Sequence, residues 1–150
     1  MGNFPSVPGS PVYALGRLTS TADGVGSEAY AYNNLGEMTQ LQKIIGTTTY
    51  TTSYAYNLAE ELSSITYPSS RVVQQSFDAI GRLCAVGNSG STCSSGTTFA
   101  TGYAYNAAFQ VTGFNYGNGV TAAIGYTPDR LLLQSLAYTK GATTLFSTNY

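Results

Sequence analysis

The sequence has 150 residues, enough for one ordinary domain or one stretch of array, and its 43% hydrophobic and 13% aromatic content supports a folded chain. Only 9% of residues are charged, against about 25% in ordinary globular domains, and the net charge is −1, so Thr, Ser, Asn, Gly and Tyr must supply most of the polar surface. Six scattered basic residues and no histidine exclude a phosphate-neutralising stripe, a polybasic membrane contact, Ser-His-Asp and Cys-His centres and most zinc sites, and no run of 18 apolar residues offers a membrane-spanning helix.

In chain order, residues 1–11 carry neither a charged leader nor an apolar run and read as an irregular N-terminal segment. An array is then expected over 12–150. Val12 and Tyr13, followed by ALGRL, look like a decayed first unit. Residues 30–33 read YAYN, the same letters return at 54–57 and 103–106, and weaker copies stand at 75–78 (QSFD) and 124–127 (IGYT). Anchored on Asn33, Asn57, Asp78, Asn106 and Thr127, the intervals are 24, 21, 28 and 21 residues. A period in the low twenties is the signature of stacked units.

After each anchor the pattern continues in step: Gly16-Arg17-Leu18, Gly36-Glu37-Met38, Glu60-Glu61-Leu62, Gly81-Arg82-Leu83 and Phe109-Gln110-Val111. A second apolar residue follows three positions later, as in Met38 and Leu41 or Leu83 and Val86. In the last unit Leu133 and Leu136 take those places, one residue late, as a single insertion would produce.

Alternation in Tyr30-Ala31-Tyr32, Tyr54-Ala55-Tyr56 and Tyr103-Ala104-Tyr105 puts both rings of each pair on one face of a strand; Phe77 and Tyr126 hold the second-ring place in the weaker copies. The Asn or Asp that follows bonds its own backbone and, in two of those units, a glycine within three residues accepts positive φ, which is turn chemistry; in two units the glycine is replaced. The apolar and Thr-rich run beyond the turn returns as a second strand, giving hairpins of about 20 residues. Segments 67–70, 87–96, 116–119 and 140–143 read as looser links between hairpins. A helix over 131–136 is too short to compete. The expected fold is therefore all-β, consecutive antiparallel hairpins of ~20–28 residues forming a ribbon or partial shell. The rings are expected to pack against the same ring of the next unit, each aromatic pair adding roughly 0.2–1 kcal/mol.

The pattern Y-x-Y-[ND]-x-x-G-R-L, closest at DAIGRL over 78–83, resembles the YD repeat of the RHS (rearrangement hotspot) family, and the resemblance covers about six units, with 145–150 as the opening of another. It departs from the family in carrying Tyr-Asn where Tyr-Asp is usual. The resemblance implies a β-strand ribbon that spirals into a hollow shell, as in bacterial polymorphic toxins, insecticidal toxin complexes and teneurins. It also implies a secreted or cell-surface protein whose partners are neighbouring repeats and a toxin cargo. No D-P-x-G-type segment, which in the bacterial proteins marks self-cleavage beside the toxin, is found in the sequence. Both ends stop within units, so the chain is expected to expose unpaired terminal strands and either to self-associate or to be only marginally stable on its own.

Enzymatic chemistry finds little support. Paired-carboxylate glycoside hydrolysis needs two carboxylates across a cleft, and the adjacent Glu60 and Glu61 fall at turn positions. No cofactor motif is present: the Gly-rich stretches 87–96 and 113–119 lack the Lys-Ser/Thr ending of a phosphate loop. Cys84 and Cys93, nine residues apart in the longest interval, read equally as a disulfide stapling an oversized loop or as one small core residue and one incidental thiol. The 13 tyrosines leave a second functional reading open, an adhesion module presenting rings to surface carbohydrate or protein. Nucleic-acid binding and membrane insertion are not expected.

Overall fold

The computed structural model describes residues 13–150; the expected irregular segment 1–11 and Val12 lie outside the described residues. Among the described residues twelve strands follow one another: β1 (Ser20–Ala22), β2 (Gly26–Tyr32), β3 (Met38–Ile45), β4 (Thr48–Tyr56), β5 (Leu62–Thr66), β6 (Val72–Phe77), β7 (Leu83–Asn88), β8 (Thr98–Tyr105), β9 (Val111–Tyr116), β10 (Val120–Tyr126), β11 (Leu133–Lys140) and β12 (Thr143–Asn149). No helix occurs among the described residues. The all-β expectation holds, for the reason the composition suggested: strand segments such as TTYTTSYAY and TFATGYAY are dominated by Thr and aromatic residues.

The chain divides into unit 1, up to Val72, and unit 2, from Val73. In unit 1, β1 to β5 form an antiparallel meander in chain order. In unit 2, β6 to β12 do the same. A meander places alternate turns at opposite ends of its strands, so within each unit the anchor turns line one edge and the remaining turns the other.

Register assigns two chemically different faces, because residues directly opposite each other share a face. In unit 1 the row Tyr30, Leu41, Thr52 and the pair Tyr54, Ile65 belong to the ring-bearing face. The next row, Ala31, Gln40, Ser53 and Thr66, belongs to a small, polar face. In unit 2 the row Phe114, Ala122, Tyr138, Phe146 alternates with Ser76, Ala85, Thr101, Asn115, Thr121 and Thr139. Ala122, between the rings of Phe114 and Tyr138, is 1% exposed, and the other buried apolar residues among those described are Ala29, Ala85 and Ala100. The large side chains are half-covered instead. Within each unit, backbone ladders and rings leaning on neighbouring rings hold the sheet, without an enclosed core among the described residues.

The segments read from sequence as loose links are ordered. Residues 67–71 close a tight turn, Tyr67 N–H to Arg71 carbonyl at 2.9 Å and Ser70 N–H to Tyr67 carbonyl at 2.9 Å, with the backbone pattern of the anchor turns. Residues 116–119 and 140–143 are hairpin turns containing Gly119 and Gly141 at positive φ. Only 88–97 is long, and it folds into a lobe bonded end to end, Asn88 N–H to Thr97 carbonyl at 2.9 Å. Gly, Ser and Asn density in the sequence signals tight turn geometry here rather than slackness.

Candidate functional site

The signature residues assemble into one construction, repeated from unit to unit of the array. At each anchor the main chain closes a five-residue turn. Asn33 N–H donates to the Glu37 carbonyl (3.0 Å) and Gly36 N–H to the Asn33 carbonyl (3.0 Å); Asn57, Asp78 and Asn106 make the same two bonds at 2.8 to 3.1 Å. The anchor side chain fills the turn. Asn33 Oδ1 accepts from Leu35 and Glu37 N–H, Asn57 Oδ1 from Ala59 and Glu61, Asp78 Oδ1 from Ile80 and Arg82, and Asn106 Oδ1 from Ala108 and Gln110, at 2.9 to 3.1 Å.

The second anchor atom explains why Asn and Asp exchange. Asn33 and Asn57 Nδ2 donate to Glu37 and Glu61 carboxylates at 2.6 and 2.7 Å, and Asn106 Nδ2 donates to Gln110 Oε1 at 2.9 Å. Asp78 instead accepts from Arg82 Nε at 2.8 Å, with Nη2 at 2.8 Å. An amide pairs with an acceptor and a carboxylate with a donor, so anchor and fourth residue covary: Asn with Glu or Gln, Asp with Arg. The Arg82 amide foremost, with its side chain and the Ile80 amide, holds the Asp78 carboxyl below the usual carboxylate range. Thr127 closes a turn one residue longer, its hydroxyl accepting from Leu132 N–H at 3.1 Å, and the inserted residue inferred from sequence accounts for the length.

The position three after the anchor has positive φ whether or not it is glycine: Gly36 at 89°, Gly81 at 81°, but also Glu60 at 63° and Phe109 at 61°. Side chains there carry a steric cost of roughly 1–2 kcal/mol. Glu60 is exposed, and Glu61 is folded back on Asn57, so the adjacent carboxylates serve the turn.

Four of the second rings then tie their repeat to the one before. Tyr32 Oη donates to the Leu18 carbonyl (2.7 Å), Tyr56 to Met38 (3.0 Å), Tyr105 to Leu83 (2.7 Å) and Tyr126 to Val111 (3.1 Å). The acceptor is always the residue just after the preceding turn. Where that turn ends in arginine, the guanidinium lies over the same ring, Arg17 at 5.7 Å from Tyr32 and Arg82 at 4.9 Å from Tyr105. Phe77 has no hydroxyl to donate. Burial raises the hydroxyl pKa of Tyr56 and Tyr105, which keeps both as donors.

First rings do other work. Tyr30 donates to Glu28 Oε2 at 2.6 Å, and Tyr103 stacks on Phe114 at 5.0 Å. The ring contacts of unit 2 run Tyr103, Phe114, Tyr116, Tyr138, Phe146; same-ring packing between neighbouring units, expected from the spacing, gives way to this cross-strand row and to the hydroxyl clamps.

Sequence reading missed the bulge that aims the second ring. Ala31 faces Gln40 but Tyr32 faces Met38, leaving Thr39 unmatched; Ser63, Cys84, Thr112 and Gln134 are the equivalent extra residues. The signal was present. Apolar residues three apart in a strand fall on opposite faces unless one residue between them is extra, so Met38 with Leu41 already encodes the bulge.

In the repeat anchored on Asp78 the bulge residue is Cys84, and it is joined to Cys93 by a disulfide with a Cα separation of 5.1 Å. The bond pins the 88–97 lobe, in which Ser91 is 1% exposed and bonded three times, its N–H to the Asn88 carbonyl at 3.0 Å, Ser76 Oγ to its carbonyl at 2.8 Å and its own Oγ to the Thr97 carbonyl at 3.0 Å. A Cβ on Gly87 would collide with Ser91 Oγ and the Thr97 carbonyl.

A cavity of about 240 Å³ in unit 1 is lined by residues including Asp23, Val25, Glu28, Lys43 and Ile45. Its charges are engaged. Glu28 pairs with Lys43 at 2.9 Å and with Tyr30, and Asp23 accepts the Val25 and Gly26 amides at 2.8 Å; those two amides, Val25 first, lower the Asp23 pKa, and the Tyr30 hydroxyl followed by Lys43 lowers that of Glu28.

The family model for the teneurin YD-shell matches residues 13–92. No curated protein matches the sequence. Among solved structures, the chain is similar to the TcdB2-TccC3-Cdc42 complex (TM-score 0.72, 16% identity, 90% of this chain and 7% of that one). It is similar also to TcdB2-TccC3 (0.73, 16%, 90% and 8%) and to the Photorhabdus luminescens Tc holotoxin pore (0.71, 17%, 90% and 7%). At that identity the likeness is one of fold, and the chain spans less than a tenth of the structures it matches.

Proposed function

The chain belongs to the teneurin YD-shell family, and from that premise we propose that it is one stretch of wall in a shell that encloses a cargo polypeptide carried elsewhere in the protein. As a member of that family it is a structural repeat segment, and a structural family points to a non-enzymatic role. The observation that carries the reading is the hydroxyl clamp, in which four of the repeats are tied through the second tyrosine to the main chain of the repeat before. Side chains so used are spent on continuity of the wall. Placement outside the cell, by secretion or at its surface, is supported by the Cys84–Cys93 disulfide, since such bonds persist in oxidising compartments.

The test is limited proteolysis of the full-length protein that contains this segment. A cargo inside an intact wall is expected to survive a protease that digests it once the wall carries Tyr32→Phe, Tyr56→Phe, Tyr105→Phe and Tyr126→Phe together. Equal cleavage of the cargo in both forms overturns enclosure. A second reading, an adhesion module for surface carbohydrate or protein, draws on the exposure of Tyr50 (44%), Tyr116 (37%) and Phe146 (49%). It predicts glycan or partner binding that Tyr116→Ala abolishes without unfolding the chain.

A further inference from the structure

Tyr116 and Tyr138 form a pair that neither the turns nor the clamps use. Their ring centroids lie 6.3 Å apart with the planes tilted by 43°, a separation at which facing ring edges stand little further apart than van der Waals contact. Of the ring contacts among the described residues it is the one that joins two phenols, the others each including a phenylalanine. Register explains the approach. Tyr116 lies two residues beyond Phe114 on β9 and shares its face, and Phe114 and Tyr138 stand on either side of Ala122 in β10. With only a methyl group rising from the strand between them, the rings of β9 and β11 lean across β10 over Ala122, which is 1% exposed. Burial first, and then the Tyr138 phenol, raises the Tyr116 hydroxyl pKa, so the two hydroxyls are near enough to act on one another.

Two phenols so placed share an oxidative chemistry. A peroxidase takes one electron from each ring, and each hydroxyl gives up its proton. The two phenoxyl radicals then pair at the ring carbons beside the oxygens, forming one carbon–carbon bond, and each of those carbons passes its hydrogen to the oxygen as the ring becomes aromatic again. The two electrons and two protons released reduce one hydrogen peroxide to two waters. Competing sinks are few in this chain. It has no tryptophan, its two cysteines are already joined to each other, and methionine is oxidised by oxygen transfer to the sulfoxide. Tyr116 is 37% exposed, which leaves the pair open to an oxidant.

We propose that Tyr116 and Tyr138 are a site of oxidative cross-linking, at which a peroxide acting through a haem peroxidase joins the two rings and so staples β9 to β11 across β10. An oxidising compartment, of the kind in which the Cys84–Cys93 disulfide persists, supplies oxidants of this class. The proposal rests on the ring geometry and is independent of cargo enclosure.

The test treats the dilute 150-residue chain with hydrogen peroxide and a haem peroxidase, follows dityrosine fluorescence, and locates the link by mass spectrometry after trypsin. One dominant product is expected, in which peptides 83–130 and 131–140 are joined through Tyr116 and Tyr138 with the loss of two hydrogen atoms. Tyr116→Phe and Tyr138→Phe should each slow dityrosine formation at least about tenfold, because the pre-set proximity is lost, while Tyr103→Phe should leave it unchanged; circular dichroism confirms that each variant is folded. The linked chain should unfold at higher urea than the unlinked one. Links scattered over other tyrosines, links formed only between chains, or the same link in equal yield from urea-unfolded chain would each overturn the proposal. An unchanged urea midpoint would overturn the staple.

Discussion

Single residues carry two separable costs in this array. Glu60 sits at φ 63° in the place that Gly36 and Gly81 hold in other repeats, and its side chain reaches no partner that the turn needs. Glu60→Gly relieves a left-handed penalty of roughly 1–2 kcal/mol, offset in part by the greater freedom of glycine in the unfolded chain, so a net gain of about 0.5–1 kcal/mol is expected in urea unfolding. Phe109 shares the strained backbone, but its ring lies 6.0 Å from Arg82, and the same change there should gain less. Asp78 is the one titrating anchor among Asn33, Asn57, Asp78 and Asn106. Because its folded pKa lies below its ordinary 3.8, its contribution is present above that range and is lost as pH falls through the folded value. Asp78→Asn should therefore flatten the acid limb of the stability–pH profile below about pH 4 while leaving the profile near neutrality parallel to the parent.

At the scale of the element, the bulge and the clamp act together. The extra residue after each turn brings the second tyrosine over the preceding carbonyl, so a ring without its hydroxyl still packs but leaves that acceptor to water. Tyr105→Phe is expected to cost about 1 kcal/mol in thermal or urea unfolding, the usual net value of a hydrogen bond. A neutral result would mean that the ring alone does the tying. The 88–97 lobe hangs on two kinds of support, the disulfide and the bonds around Ser91. Replacing Cys84 and Cys93 by Ala should cost about 2–3 kcal/mol, the chain-entropy value for so short a loop. Faster amide exchange should be confined to the lobe and its attachment at β7.

For the molecule as a whole, the consequence is a sheet-bonded protein with little enclosed apolar volume. Four alanines are the buried apolar residues among those described, and the large side chains remain partly in water. Unfolding should therefore expose less new apolar surface than usual, and scanning calorimetry should give a heat-capacity change below the ordinary 12–15 cal/mol/K per residue. A value in that range would mean that the rings are covered in solution by something beyond a single layer, such as a second copy.

What the sequence determined by itself was what repeats. Tyr-x-Tyr, the Asn or Asp anchor, the glycine three residues on and the one-residue slip before Leu133 are local features, each fixed by strand alternation or turn stereochemistry within a few residues, and all are legible in one dimension. Even the bulge was written in the spacing of Met38 and Leu41. What only the tertiary structure decided is which carbonyl a tyrosine hydroxyl finds 14 to 22 residues away and that Cys84 reaches Cys93. It also decided that Glu37 turns inward while Glu60 stays out, and that the Gly- and Ser-rich lobe is built around a buried serine. Such pairings depend on register between strands, and register is a sum over a whole ladder of contacts that no short window of sequence contains.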